Sequence, residues 1–80
     1  NPQTTINFAV SKAANIYVSV YDNHGRLMSM LVNGNHMSPG TYEVTWNGMN
    51  DFGQQVPSGT YYVRMKAGSF ERTRKMILAK

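Results

Sequence analysis

The side chains that could carry acid, base or nucleophilic chemistry are few and lie far apart in this 80-residue sequence. They are His24, His36, Asp22, Asp51, Glu43 and Glu71. The histidines and aspartates fall in predicted turns, where aspartate caps the backbone, and the glutamates fall on predicted solvent faces of strands. There is no cysteine, and no serine sits in a G-x-S-x-G turn. We therefore predict no catalytic site in this chain.

The segment 47–54 concentrates oxygen-bearing side chains at short spacing. Calcium takes six to eight oxygens and prefers several carboxylates, but Asp51 is the one charged residue here. We interpret the segment as a turn held by Asn and Asp side chains. Without cysteine there is no thiolate metal site either, so no metal and no cofactor is expected.

Basic residues are concentrated in the last quarter of the chain. The whole sequence carries a net charge of +4, whereas Thr60–Lys80 alone carries +5. The basic residues there are Arg64, Lys66, Arg72, Arg74, Lys75 and Lys80. Such a surface could bind an acidic protein or glycan, or could guard a sheet edge. A nucleic acid is the less favoured partner, although Tyr62 shares a predicted face with Arg64 and Lys66.

Three tyrosines, Tyr17, Tyr21 and Tyr62, occupy predicted outward positions on strands. Exposed aromatic rings can stack on sugars, so carbohydrate binding is one hypothesis. The same rings would pack against a second sheet if the inward and outward faces were reversed. Trp46 shares a face with Tyr42 and Val44 and is interpreted as a core anchor.

Short strands must position all of these residues. Seven glycines, most of them beside Asn, Asp, Pro or Ser, mark turns every five to nine residues, and the segments between them alternate apolar and polar residues. We predict six strands and a possible short one at Gln54–Val56, arranged as an antiparallel β-sandwich, with a small barrel as the alternative. The stretch Arg26–Val32 is expected to be a strand that contains a bulge or one that is covered on both faces. In Phe70–Ala79, Arg72 and Arg74 share a face with apolar residues, which suggests a register change near Arg74.

The length indicates one domain, residues 1–80, with 1–4 as the end of a linker. No stretch of about 18 apolar residues is present, so no membrane span is expected. No basic segment followed by an apolar one opens the sequence, so no signal peptide is expected within it. These features fit a cytosolic protein or a piece of a longer exported chain.

Several blocks in order resemble the C-terminal sorting domains (type A) of the type IX secretion system. The matching blocks are Asn1-Pro2 with Thr4-Thr5-Ile6 and Phe8, Val20-Tyr21-Asp22 with Gly25-Arg26, Leu31-Val32 through Trp46, Gly59–Met65, and Lys75–Lys80. The stretch Trp46–Tyr61 is also similar to the FlgD-like immunoglobulin-like domain, and the two families share a fold. The opening departs from the fuller sorting motif.

The resemblance implies an immunoglobulin-like sandwich of about seven strands that is not itself an enzyme. It further implies a sorting module of a larger exported protein, often a hydrolase, at the extracellular bacterial cell surface. Its expected partners are a secretion-system protein, a sortase-like protease and other domains of the parent chain. Arg26, Lys75 and Lys80 are the motif residues suited to recognition. The alternatives are an accessory carbohydrate-binding module of a secreted glycosidase and a FlgD-type structural or scaffold domain.

Overall fold

The computed structural model describes residues 3–79, and its regular secondary structure consists of β-strands. In chain order they are β1 (Thr4–Val10), β2 (Ala14–Asp22), β3 (Leu27–Met37), β4 (Gly40–Trp46), β5 (Gly59–Ala67) and β6 (Phe70–Leu78). All pairings are antiparallel, as predicted. The all-β prediction is therefore confirmed. Within residues 3–79, no helix is long and apolar enough to cross a membrane.

The strands form two sheets rather than a closed barrel. A two-stranded sheet pairs β1 with β4, and a four-stranded sheet has the order β3-β2-β5-β6. The expected strand at Gln54–Val56 is reduced to an isolated bridge between Met49 and Gln55, because this segment belongs to an irregular loop. The described strands therefore number six. The predicted linker 1–4 is too long, since Thr4 already pairs with Trp46; Asn1 and Pro2 lie outside the described residues.

The core lies between the sheets and is built mainly by the alternation of β1, β2, β4 and β5. Its fully buried side chains with the largest volumes are Trp46, Ile16, Val18 and Val20. Trp46 donates its indole N–H to the Met49 carbonyl at 2.9 Å and meets Tyr61 edge-on at 5.1 Å between ring centroids. This confirms Trp46 as a core anchor. Because the indole N–H of Trp46 has a hydrogen-bond acceptor, burial of the side chain leaves no unpaired donor.

β3 contains the predicted bulge and two more. Its register against β2 shifts at three points, and at each of them one β3 residue has no partner on β2. These residues are Gly34, Leu31 and Met28. The turn predicted around Gly34 is wrong: Gly34 adopts φ 82° inside the strand and supplies the extra residue of a bulge. His36 is consequently in β3 rather than in a turn, with Nδ1 3.1 Å from the Asn15 side-chain oxygen.

β6 does not change register. Its pairing with β5 is continuous from Gly59–Leu78 to Ala67–Phe70, so the predicted shift near Arg74 is wrong. Phe70, Arg72 and Arg74 share the face that carries buried Leu78, yet all three are exposed. The reason is that two strands cannot cover four, so much of the inner face of β6 has no strand opposite it.

Candidate binding surfaces

The predicted recognition residues of β5 and β6 lie on two opposite faces of the four-stranded sheet. Arg64, Lys66 and Lys75 lie on the outer face of the four-stranded sheet, with the three tyrosines beside them. Arg72 and Arg74 lie on the inner face, where they line a cavity together with residues of β1. Arg26 follows the turn after β2, and Lys80 lies outside the described residues. The basic segment is therefore two separate surfaces, not one patch.

On the outer face, Arg64 links two neighbouring strands. Its guanidinium carbon lies 4.8 Å from the Tyr21 ring centroid, and one of its NH2 groups donates to the Tyr21 hydroxyl at 2.5 Å. Its Nε lies 3.3 Å from a carboxylate oxygen of Glu71. Ser19 is almost fully buried beside this network. The charge of Arg64 is thus offset locally, while Lys66 and Lys75 form no ion pair with a residue between Gln3 and Ala79.

The three tyrosines do not form an open platform. Tyr21 pairs directly with Tyr62, but Arg64 covers one side of the Tyr21 ring. Tyr17 is four residues from Tyr21 on the same strand, a separation of about 13 Å. Tyr17 also packs against the bulge at Gly34. The outward positions of the tyrosines are as expected, but the rings of Tyr17 and Tyr21 serve contacts within the sheet.

Arg26 is held in the turn between β2 and β3. Asp22 accepts hydrogen bonds from the amides of His24 and Arg26 at 2.8 and 2.9 Å, and its other oxygen lies 2.8 Å from Arg26 Nε. The bond from the Arg26 amide is the main cause that holds the pKa of Asp22 below its ordinary value, with further contributions from the His24 amide and the Arg26 side chain. Burial of the carboxyl group acts in the opposite direction and raises the pKa of Asp22. The presence of Asp22, Gly25 and Arg26 together in the sequence is therefore explained by the hydrogen bonds and the geometry of this turn.

The loop 47–54 is a structural turn, as the sequence indicates. Asn50 Oδ1 accepts the amides of Phe52 and Gln54, both at 3.0 Å. Asp51 reaches back to β3, where it accepts the Met30 amide and the Ser29 hydroxyl. No group of three His, Cys, Asp or Glu side chains within the described range could hold a metal ion.

A groove runs between β1 and β6. It contains a cavity of about 600 Å³ whose floor includes Val18, Val63 and Met65. Phe8 lies on the β1 side, stacked on Tyr42 at 5.6 Å, and Phe70 lies on the β6 side. A second cavity of about 250 Å³ continues the groove toward Thr4 and Met76.

Sequence reasoning missed this groove although its signal was present. Arg72 and Arg74 share the parity of Phe70, Met76 and Leu78, and this conflict was interpreted as a change of register. The correct solution is a regular strand whose inner face is only partly covered. The odd or even position of a residue along a strand predicts which face of the sheet its side chain lies on. Whether that face is buried depends on how many strands the opposite sheet has.

These features define the class of the chain: a six-stranded immunoglobulin-like sandwich whose turns are fixed by its own polar side chains. The chain belongs to the FlgD Ig-like domain family, whose model matches residues 2–70. Among solved structures, FlgD from P. aeruginosa is similar, with a TM-score of 0.74 and 21% identity, which shows a shared fold. The match covers 95% of this chain and 58% of that one. No curated protein matches the chain.

Proposed function

We propose that this chain is a non-catalytic structural module of the FlgD type, which supplies a rigid sandwich to a larger assembly. The observation that carries the proposal is that three of the four acidic side chains are used to hold the fold. Asp22 fixes one turn, Asp51 ties a loop to β3, and Glu71 pairs with Arg64. Every buried side-chain nitrogen or oxygen between Gln3 and Ala79 has a partner. Membership of the FlgD Ig-like family supports the same role.

Photo-crosslinking in the full-length protein tests this role. A photoreactive phenylalanine analogue would replace Lys66 on the outer face or Arg72 in the groove, with the highly exposed Phe52 as the loop control. A structural module should crosslink, at one of the two faces, to other parts of the same protein or to its copies. Crosslinks confined to unrelated export proteins would contradict the proposal.

The second candidate is the sorting role, which the closing block Lys75–Lys80 favours. The family match ends at residue 70 and therefore does not account for this block. The extracellular location and the secretion-system or sortase-like partners belong to this candidate. The family match and the FlgD neighbour favour the structural role over it.

The fold dictates how the sorting role must be tested. Leu78 is 2% exposed, so deletion of 75–80 would remove a core residue and confuse unfolding with loss of recognition. The double variant Lys75→Gln/Lys80→Gln leaves Leu78 in place, and Lys66→Gln on the same outer face is the matched control. A reporter fused to the chain should lose export with the double variant alone. Equal export of all three chains would exclude the sorting role.

A further inference from the structure

The free edge of β1 and the inner face of β6 form one side of the sandwich, and none of the six described strands covers it. β1 pairs with β4 on one edge only, so its other edge has no strand beside it within the described chain. That edge faces β6, because the two cavities of the groove are lined by residues of both strands. An unpaired edge beside an apolar trough is the arrangement into which an additional strand fits.

The backbone at this edge is already engaged by a side chain in place of a strand. One NH2 group of Arg74 donates to the Asn7 carbonyl oxygen at 2.8 Å. The N–H and C=O of one residue in an antiparallel strand point to the same side, and this side alternates along the chain. The backbone groups of Thr5, Asn7 and Ala9 therefore point to the free edge, where they can pair with a new strand.

The dimensions also suit one strand. A strand added to β1 would lie about 4.8 Å to its side and about 10 Å above the four-stranded sheet, which places it over β6. Its inward side chains would then cover Phe70, which is 54% exposed, and the two arginines beyond it. The two-stranded sheet would become three-stranded, and the core would extend to the edge of the larger sheet.

The positive charge of the groove indicates which kind of segment could bind there. Arg72 and Arg74 expose two guanidinium groups on the inner face. Glu43 is the carboxylate among the residues that line the larger cavity. Its neighbours Tyr42 and Val44 are partly buried against the core, so the Glu43 side chain lies on the opposite, outward face of the two-stranded sheet. Glu71 is on the outer face of β6 with Arg64. A second copy of this chain, itself at +4, would bring like charge to the groove.

We propose that this groove binds an extended segment of a neighbouring protein chain as a third strand beside β1. The segment has carboxylate side chains opposite Arg72 and Arg74 and apolar side chains opposite Phe70 and the core residues. Backbone pairing with β1 supplies affinity, and the two arginines supply selectivity. The inference rests on the proposed structural role and adds the partner through which the module would join an assembly.

A short synthetic peptide tests the groove directly. The probe is capped Val-Thr-Glu-Thr-Glu-Thr-Val, whose inward positions carry the valines and glutamates, and the control replaces both glutamates with glutamine. Titration of the isotope-labelled chain by NMR should shift the amides of Thr5, Asn7 and Ala9. We expect the glutamine peptide to bind about tenfold more weakly, because two partly exposed charge pairs are lost.

Charge reversal completes the experiment. Arg72→Glu/Arg74→Glu should lose affinity for the glutamate peptide and gain it for a peptide with lysine at the same positions. Equal binding of the glutamate and glutamine peptides, shifts confined to the outer face around Tyr62, or shifts that depend on protein concentration without peptide would each overturn the inference. Absence of binding to the folded chain would do so too, whereas the structural role itself is decided by the crosslinking pattern in the full-length protein.

Discussion

At the scale of single residues, the polar side chains that stand out in the sequence serve the backbone. Two tyrosines make the same contact in two places: Tyr42 donates to the Ser38 carbonyl and Tyr61 to the Pro57 carbonyl, each at 2.6 Å and four residues back. Both follow a Gly-Thr pair, and both close the turn that leads into a strand. A tyrosine hydrogen-bonded in this way at a strand start is a recurrent feature of immunoglobulin-like sandwiches.

Removal of the Tyr61 hydroxyl is expected to cost more than removal of the Tyr42 hydroxyl. Tyr61 is 5% exposed and its hydrogen bond to Pro57 is partly buried, so Tyr61→Phe should lower the free energy of unfolding by about 1–2 kcal/mol. Tyr42→Phe exposes its acceptor to water and should cost about 0.5 kcal/mol. Urea unfolding of both variants measures the difference, and equal losses would contradict the burial argument.

The Tyr61 variant should also change the alkaline limit of stability. Burial, with a smaller contribution from the nearby Asp22 charge, raises the pKa of Tyr61 above its ordinary value of 10.0. A raised pKa means that the folded state holds the proton more tightly, so this stability is lost as the pH rises above 10.0. Tyr61→Phe should lose less stability than the native chain over that range, as measured by thermal unfolding at increasing pH.

Asp22 should control the acid limit. Its pKa is lowered in the folded chain, so its contribution to stability is present above the ordinary value of 3.8 and is lost as the pH falls below it. Asp22→Asn should therefore unfold at lower urea concentration near neutral pH, and the gap from the native chain should close in acid. Glu43→Gln, at an exposed carboxylate with no ion pair in the described chain, is the control. A gap for Asp22→Asn that is independent of pH would contradict the assignment.

At the scale of elements, β3 and β6 show opposite ways in which a strand departs from simple alternation. β3 breaks alternation with three bulges, which let one strand present apolar side chains to both faces. β6 keeps its alternation, but its inner face extends past the opposite sheet. Both strands looked irregular in sequence, and only β3 is irregular in structure.

The bulge at Gly34 predicts the result of a matched pair of substitutions. Gly34 and Gly25 have nearly the same φ, 82° and 80°, so alanine meets the same backbone strain of about 1–2 kcal/mol at each. An added Cβ at Gly34 would lie 3.2 Å from the Tyr17 hydroxyl oxygen, whereas at Gly25 it meets nothing within 4 Å. Gly34→Ala should therefore destabilise the chain more, and Tyr17→Phe should reduce the excess. Equal losses in free energy of unfolding would show that the Tyr17 contact is unimportant.

The extent to which sequence predicts this molecule follows from the range of the interactions involved. Local signals worked: alternation located the strands, and the residues around Asp22 and Asn50 indicated their turns. Features that depend on distant partners were missed or misread. Gly34 looks like a turn residue until its pairing with β2 is known, and Asp51 looks like a local cap although it binds β3. The groove depends on the number of strands in the opposite sheet, which alternation does not contain.

At the scale of the whole molecule, the sandwich is closed on the side of β3 and β4 and open on the side of β1 and β6. Native-state hydrogen exchange should report this asymmetry. The central strands β2 and β5 are paired on both edges and should be protected most. The amides of Thr5, Asn7 and Ala9 should exchange fastest within β1, since they point to the free edge. Protection of these three at the level of β5 would mean that the edge is already covered.

The same open side determines how the module would respond to mechanical load. The start of β1 and the end of β6 lie near each other, since Thr4 and Met76 line the same small cavity. The two strands share no backbone ladder within the described residues, and Arg74 to Asn7 is the hydrogen bond seen between them. Tension applied through Thr4 and Leu78 would therefore peel one sheet from the other instead of shearing a row of hydrogen bonds. In a load-bearing assembly such a unit would yield early unless a third strand bound beside β1.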